Sequence, residues 1–313
     1  MTNLDQFESV FKSADREPFT EQPIHLDKVL VMTDGDGQQA EELNDQLRQF
    51  FGGLQDSSSP RYFSVTGDQF SNVRELLERI EEVNPAMICT PRNLHDPIPD
   101  VPHSLGAYVD VMTQVISCPV LLVPRGNEWS LANEVMAITD HLSGDNRLVS
   151  YAAALTAPGG TLVLVHVEDE QVFRRYISTI GKIPSIDTTA AEEDIREQLL
   201  KEPADYILSC QQALEQRPDH SIRGQQHTKG SQALERAEIG VLDGKQGGKP
   251  PARTLQVESV IMLGHLLEDY KRLIARHEID LLVLNTKDDD QLAMHGLAYP
   301  LAIEMRDVPL LLL

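Results

Sequence analysis

The sequence predicts an α/β protein made of two consecutive open, mainly parallel sheets, the second enlarged by a long insertion. Three observations carry this. Short apolar runs alternate with amphipathic stretches along most of the 313 residues. The alternation restarts near residue 134. The closing stretches of the halves, SLGAYVDVMTQVISCPVLLV and HGLAYPLAIEMRDVPLLLL, also lie against one another, with Gly106 and Gly296, and Pro119 and Pro309, each 190 positions apart.

The first half opens with Lys28–Thr33 (KVLVMT), a buried strand. A helix follows from about Gln39 to Phe51, with Leu43, Leu47 and Phe51 on one face and Gly52-Gly53 as its stop. Arg61–Val65 reads as a strand and Phe70–Val83 as a helix through Val73, Leu76, Leu77, Ile80 and Val83. Ala86–Thr90 is a strand, followed by a loop with Pro91, Pro97, Pro99 and Pro102. Ser104–Ser117 is helical and Pro119–Val123 closes the unit. In the second half, Glu134–Thr139, Thr161–Val167, Leu255–Met262, Leu281–Leu284 and Pro309–Leu313 read as strands. Leu148–Leu155, Glu268–His277 and Gly296–Met305 read as helices.

The spacings locate the asymmetry between the halves. Asp34 and Asp140, which end the two opening strands, are only 106 apart, so the second half carries 84 additional residues. Asp34 precedes Gly67 by 33 positions, whereas Asp140 precedes Gly264 by 124, so the growth lies between the opening strand and that glycine. The first half therefore lacks a strand–helix pair that the second retains. The resulting organisation is an N-terminal extension over 1–26, a first domain over 27–125, a linker over 126–133 and a second domain over 134–313, with the insertion at about 183–253. The insertion begins with a helical pattern over Ala190–Gln216, which Pro203 should kink or split. It continues through a Gly-, Gln-, Lys- and His-rich stretch, Pro218–Ala252, expected to be loosely structured. Leu4, Phe7, Val10 and Phe11 in the extension could form a short helix.

Bulk composition excludes several function classes. With 27 Lys+Arg against 49 Asp+Glu the formal charge is −22, which opposes binding to nucleic acid or anionic lipid. The three cysteines (Cys89, Cys118, Cys210) form no C-x-x-C pair, so a disulfide framework or zinc knuckle is not expected, and free thiols fit a reducing cytosol. Met1–Asp15 lacks the basic start and apolar run of a signal peptide, and no apolar stretch reaches the ~18 residues needed to span a bilayer. Localisation is therefore expected to be cytoplasmic.

The aligned residues resemble the universal stress protein family: the strand-terminal Asp34 and Asp140, Gly67 and Gly264, and above all the Gly106 and Gly296 loops, each leading through a helix to CPVLLV or VPLLLL. The resemblance spans nearly the whole chain except the N-terminal extension and the insertion. It implies a tandem member with a doubly wound, nucleotide-binding type of fold. It also implies a site beyond the carboxyl ends of the strands, in the loops after Thr33, Thr90, Thr139 and Leu284. In nucleotide-binding members an Asp after the first strand contacts the adenine side, and a G-x2-G-x9-G-[S/T] motif wraps the phosphates with backbone N–H groups.

Both halves depart from that motif. In the first, Thr90 and Asn93 stand at the glycine positions, Ala107 replaces the hydroxyl residue, and Pro91 has no N–H to give. In the second, Asn285 and Asp288 replace the glycines, Leu297 replaces the hydroxyl, and Asp288-Asp289-Asp290 places carboxylates where phosphates would lie. Each lost charged hydrogen bond costs about 1.5–3 kcal/mol, so the second half is expected not to bind ATP. In the first half Asp34, Arg92, Ser104 and Gly106 remain as cofactor-binding candidates for ATP or another adenine nucleotide. Three of the strand-end residues have a purely structural alternative: Asp34 and Asp140 as turn or helix-capping residues, and Ser104 as a helix cap.

No metal is expected. His95, Asp96, Asp100 and His103 match no ligand spacing, Asp288–Asp290 reads as a solvated turn, and His220 and His227 belong to no recognisable site. Cys89 and Cys118 read as core residues. No G-x-S-x-G, Walker or H-E-x-x-H pattern is present.

The leading expectation is a non-enzymatic protein of cytoplasmic stress adaptation that acts through protein partners. Its halves would meet as an internal pseudo-dimer through Pro119–Val123 and Pro309–Leu313, the insertion would be a contact surface, and a homodimer stays open. The competing expectation is an adenine-nucleotide-binding or weakly ATP-hydrolysing protein using Asp34, Arg92 and Gly106. A third, an adenylyl-transferring or flavin-linked enzyme, would need a candidate base that the sequence does not single out.

Overall fold

The computed structural model describes residues 18–53, 60–95, 103–126, 129, 131–139, 145–183, 188–215, 255–286 and 296–313. The expected helix through Leu4–Phe11 and the second part of the insertion lie outside them.

Strand β1 (Lys28–Met32) is apolar and buried beyond Lys28, as expected for a strand covered on both faces. Helix α1 (Gly37–Phe50) starts at a capping box: the Asp36 carboxylate accepts from the Gln38 and Gln39 N–H groups, and the Gln39 amide oxygen accepts from the Asp36 N–H. β2 (Arg61–Val65) leads to α2 (Val73–Val83), which is capped by Asn72 and closed by Asn84 in the left-handed region. β3 (Met87–Pro91), α3 (Ala107–Val115) and β4 (Val120–Val123) follow. The chain continues through β5 (Glu134–Ile138), α4 (Asp145–Leu155), β6 (Thr161–Asp169), α5 (Glu170–Ile180) and α6 (Thr188–Glu215). It ends with β7 (Gln256–Gly264), α7 (Leu266–Arg276), β8 (Leu281–Leu284), α8 (Ala298–Glu304) and β9 (Leu310–Leu312).

Among the described residues, the strands join one nine-stranded sheet of order β2-β1-β3-β4-β9-β8-β5-β6-β7. Every pairing is parallel except β4 with β9, which run antiparallel with Leu121 opposite Leu311. The sequence suggests two sheets. They form one because β4 and β9, both apolar throughout and buried, would otherwise leave unpaired backbone edges. Helices α1, α4 and α6 cover one face, burying Leu47, Phe50, Leu148, Ile207 and Cys210. Helices α2, α3, α7 and α8 cover the other, burying Leu76, Val109, Met112, Tyr270 and Leu301. Each core is continuous across the β4–β9 junction: Val31 and Leu121 share one with Leu311 and Val135, and Leu30 and Leu122 share the other with Leu310 and Leu284.

Three details differ from the sequence-based expectation. The spacing argument makes Gly67 the counterpart of Gly264, yet β2 lies directly beside β1, the place that β6 holds beside β5. The two glycines consequently have unlike surroundings: a Cβ on Gly67 would stand 2.3 Å from the Asp34 carbonyl oxygen, one on Gly264 2.2 Å from the Asp269 carboxylate. Second, the early part of the insertion, expected only as a helical stretch outside the repeat, is built into the layer that covers the sheet. The C-terminal half of α6 buries Ala204, Tyr206, Ile207, Cys210 and Leu214 against the sheet and forms part of the crossover between β6 and β7. Third, α6 runs on through Pro203. The proline removes one N–H from the helix ladder, and the buried residues that follow it keep the helix on the sheet.

Candidate functional site

In open α/β sheets ligands bind where the strand order reverses, beyond the carboxyl ends. Here the reversals lie between β1 and β3 and between β5 and β8.

At the first reversal, Asp34 follows β1, and its carboxylate is gripped by Arg125, which follows β4. Nη1 reaches Oδ1 at 3.2 Å and Nη2 reaches Oδ2 at 2.9 Å, a fork-to-fork pair. Burial alone would push the Asp34 carboxyl up. The hydrogen bonds and charge of Arg125, with backbone N–H groups of Asp34 itself and His95, outweigh it and hold the group below the ordinary carboxylate range. Arg125 also donates from Nε to the Arg92 carbonyl at 2.9 Å and from Nη2 to the Asn93 carbonyl at 3.3 Å.

Residues 92–95, which follow β3, pack at this strand end. Leu94 is fully buried, and the His95 ring packs edge-on to Phe70 at 4.4 Å and lies 5.5 Å from Tyr108. The buried Nε2 of His95 has no hydrogen-bond partner among the described residues. Arg92 is 7 % exposed and points away from the strand end, donating to the carbonyls of Ala302 and Met305 at the end of α8. The Ser104 hydroxyl accepts from the Gly106 N–H at 2.9 Å. Ser104 therefore closes a local turn, while Gly106, at φ 92, is the capping residue of α3.

Of the four predicted site residues, Asp34 is brought to Arg125, Ser104 and Gly106 to each other, and Arg92 to α8. Arg125 is the residue that sequence reasoning missed. Its only signal is its place directly after an apolar strand, in V-P-R.

At the second reversal, Asp140 and Asp288–Asp290 lie outside the described residues. Asn285 donates to the Asp145 carboxylate at 3.1 Å, and both are buried. The Thr286 N–H and hydroxyl both donate to the Leu313 carbonyl. The Nδ1 of buried His166 bonds the Thr139 carbonyl at 2.8 Å, and its Nε2 lies 3.2 Å from Glu168. Thr139 carbonyl oxygen can only accept, so Nδ1 carries a proton.

Among the described residues, no group of three or more His, Cys, Asp or Glu could hold a metal ion, and no helix is long and apolar enough to cross a membrane. Asp96 and Asp100, and likewise His220 and His227, lie outside those residues. All three cysteines are free thiols. Burial pushes Cys89 well up, and Cys118 to about 11.

No family model and no curated protein matches the sequence. Solved structures do resemble the fold. A universal stress protein from Archaeoglobus fulgidus DSM 4304 is 11 % identical, with 92 % of this chain and 98 % of that one covered at a TM-score of 0.46. A functionally unknown protein from Pseudomonas aeruginosa PAO1 is 12 % identical over 92 % of both chains, TM-score 0.46. A protein of Pseudomonas aeruginosa UCBPP-PA14, provisionally assigned as a universal stress protein, is 12 % identical over 92 % of this chain and 93 % of that one, TM-score 0.47. The likeness is one of fold.

Proposed function

We propose that this is a tandem universal stress protein-like chain that acts without catalysis, through protein partners in the cytoplasm, and has given up adenine-nucleotide binding at both strand ends. The observation that carries the reading is the Asp34–Arg125 pair. The carboxylate that would meet the adenine side is already matched by a two-pronged partner from the same chain. An incoming ligand would have to break two charge-assisted hydrogen bonds and displace Leu94 and His95. Arg92, the expected phosphate contact, is committed to α8. In the second half, the Asn285–Asp145 bond and a buried carboxylate add to the unfavourable electrostatics for phosphate. The buried β4–β9 pairing supports an internal pseudo-dimer.

Calorimetric titration of the full chain with Mg-ATP tests the nucleotide part. No saturable heat is expected up to about 1 mM, where binding contributes only ~4 kcal/mol. Micromolar binding, or a rise in melting temperature with ATP, would establish the nucleotide-binding alternative instead. The partner part is tested by cross-linking in cells with and without residues 218–252: an unchanged set of cross-linked proteins removes the insertion as the contact.

A further inference from the structure

Helix α8 is held at its C-terminal end by a side chain from the other half of the sheet. The last carbonyls of a helix have no intrahelical donor, and here those of Ala302 and Met305 accept from the Arg92 guanidinium. A cation at that end also meets the negative pole of the helix. Arg92 is one residue past β3, and its own carbonyl is fixed by Arg125 Nε at 2.9 Å. The same Arg125 holds the Asn93 carbonyl and the Asp34 carboxylate. Within this loop Asn93 and His95 sit in the left-handed region at φ 53 and 57. That conformation is uncommon for residues with a Cβ, though Asn and His tolerate it better than most, and it is held by the surrounding structure.

We propose that Arg92–His95 is a conformational latch that couples the Asp34–Arg125 pair to the order of helix α8. Closed, the pair holds the loop in its left-handed form and aims Arg92 at α8. Opened, the loop relaxes at His95, Arg92 loses its aim, and the end of α8 frays. The output is at a sensitive place, since only Arg306–Pro309 separate Met305 from β9, the strand that joins the two halves. The start of α8 has its own tie, Tyr299 Oη to Asp110 Oδ2 at 3.4 Å, which the latch does not involve. Coupling of this kind is reciprocal: whatever loosens α8 also loosens the Asp34 pair. The latch is independent of whether any nucleotide binds.

Hydrogen exchange followed by mass spectrometry on the full chain tests this. Arg92→Gln should raise exchange over Leu301–Met305 directly. Arg125→Gln touches nothing in α8, yet should raise the same amides about fivefold or more, with α7 around Leu273 unchanged. The proposal is overturned if only Arg92→Gln moves those amides, or if Arg125→Gln raises α7 by the same factor, which would mean general loosening. Should Arg125→Gln not fold, Asp34→Asn, which keeps both arginines, carries the test with the same expectation.

Discussion

Replacing Arg125 by alanine removes four hydrogen bonds at once, two to the Asp34 carboxylate and two to the carbonyls of Arg92 and Asn93. The side chains of the pair are 30 % and 27 % exposed, so neither limiting dielectric applies. Two charges ~4 Å apart attract by about 4 kcal/mol at an effective dielectric near 20, and partial desolvation offsets part of that. A coupling of about 1–2 kcal/mol between the two side chains is therefore expected, above the ~0–1 kcal/mol of a freely exposed pair. Arg125→Ala as a whole should cost about 2–3 kcal/mol, because the carbonyls lose donors as well. Urea unfolding of the wild type, Arg125→Ala, Asp34→Asn and the double variant at neutral pH gives the coupling directly. The sign with pH is fixed by the direction of the shift. The Asp34 carboxyl is held below its ordinary value in the folded protein, so its contribution is complete above the unfolded value near ~3.9 and fades as pH falls through the folded value. The gap between wild type and Asp34→Asn should therefore be full at pH 7 and shrink below about pH 4. Single-variant costs that add to within ~0.3 kcal/mol would refute the coupling, and with it the idea that this strand end is locked.

Arg92→Ala should destabilise the protein by about 2–3 kcal/mol in urea unfolding, since two helix-end carbonyls in a partly buried setting lose a charged donor. A change under 0.5 kcal/mol would mean that water replaces the guanidinium. Leu311→Ala, at a fully buried position in the junction strand, should cost about 2–5 kcal/mol and lower stability of both halves together, read as one cooperative transition by tryptophan fluorescence and circular dichroism. Two separated transitions would show that the halves unfold independently. Cys118, with its thiol pushed up to about 11, should react slowly with iodoacetamide at pH 8 and faster as pH approaches 11, whereas buried Cys89 should react only on unfolding.

The strands were legible because fully covered parallel strands read as uninterrupted apolar runs, as in KVLVM and LLVL. Helices α1 and α2 announced themselves by the spacing of their apolar residues, whereas their caps Asp36 and Asn72 emerge only in the structure. Helix α5 did not. Phe173 and Ile177 lie four apart behind the cap Asp169, but a short helix with two buried apolar residues hardly rises above its polar neighbours. The role of α6 was half concealed for a related reason: its first half is charged, and the face that meets the sheet, Ala204, Tyr206, Ile207, Cys210 and Leu214, is confined to its second half. The site was the least legible part. Which arginine turns toward Asp34 depends on side-chain direction between elements 91 positions apart, and periodicity carries no such information. Arg92 and Arg125 are equivalent in type, and only the fold separates their destinations.

The antiparallel β4–β9 pair has a kinetic consequence. Leu121 and Leu311 face each other across 190 positions of chain. The middle of the sheet is therefore the last piece to be filled: all eight other strands precede β9 in sequence, yet it holds the fifth place in the sheet. Until β9 arrives, the apolar rim of β4 stays open, and closing so long a loop slows the final step. A folding intermediate of this chain would present a sticky seam at its centre, the place where a premature encounter with another strand does most harm.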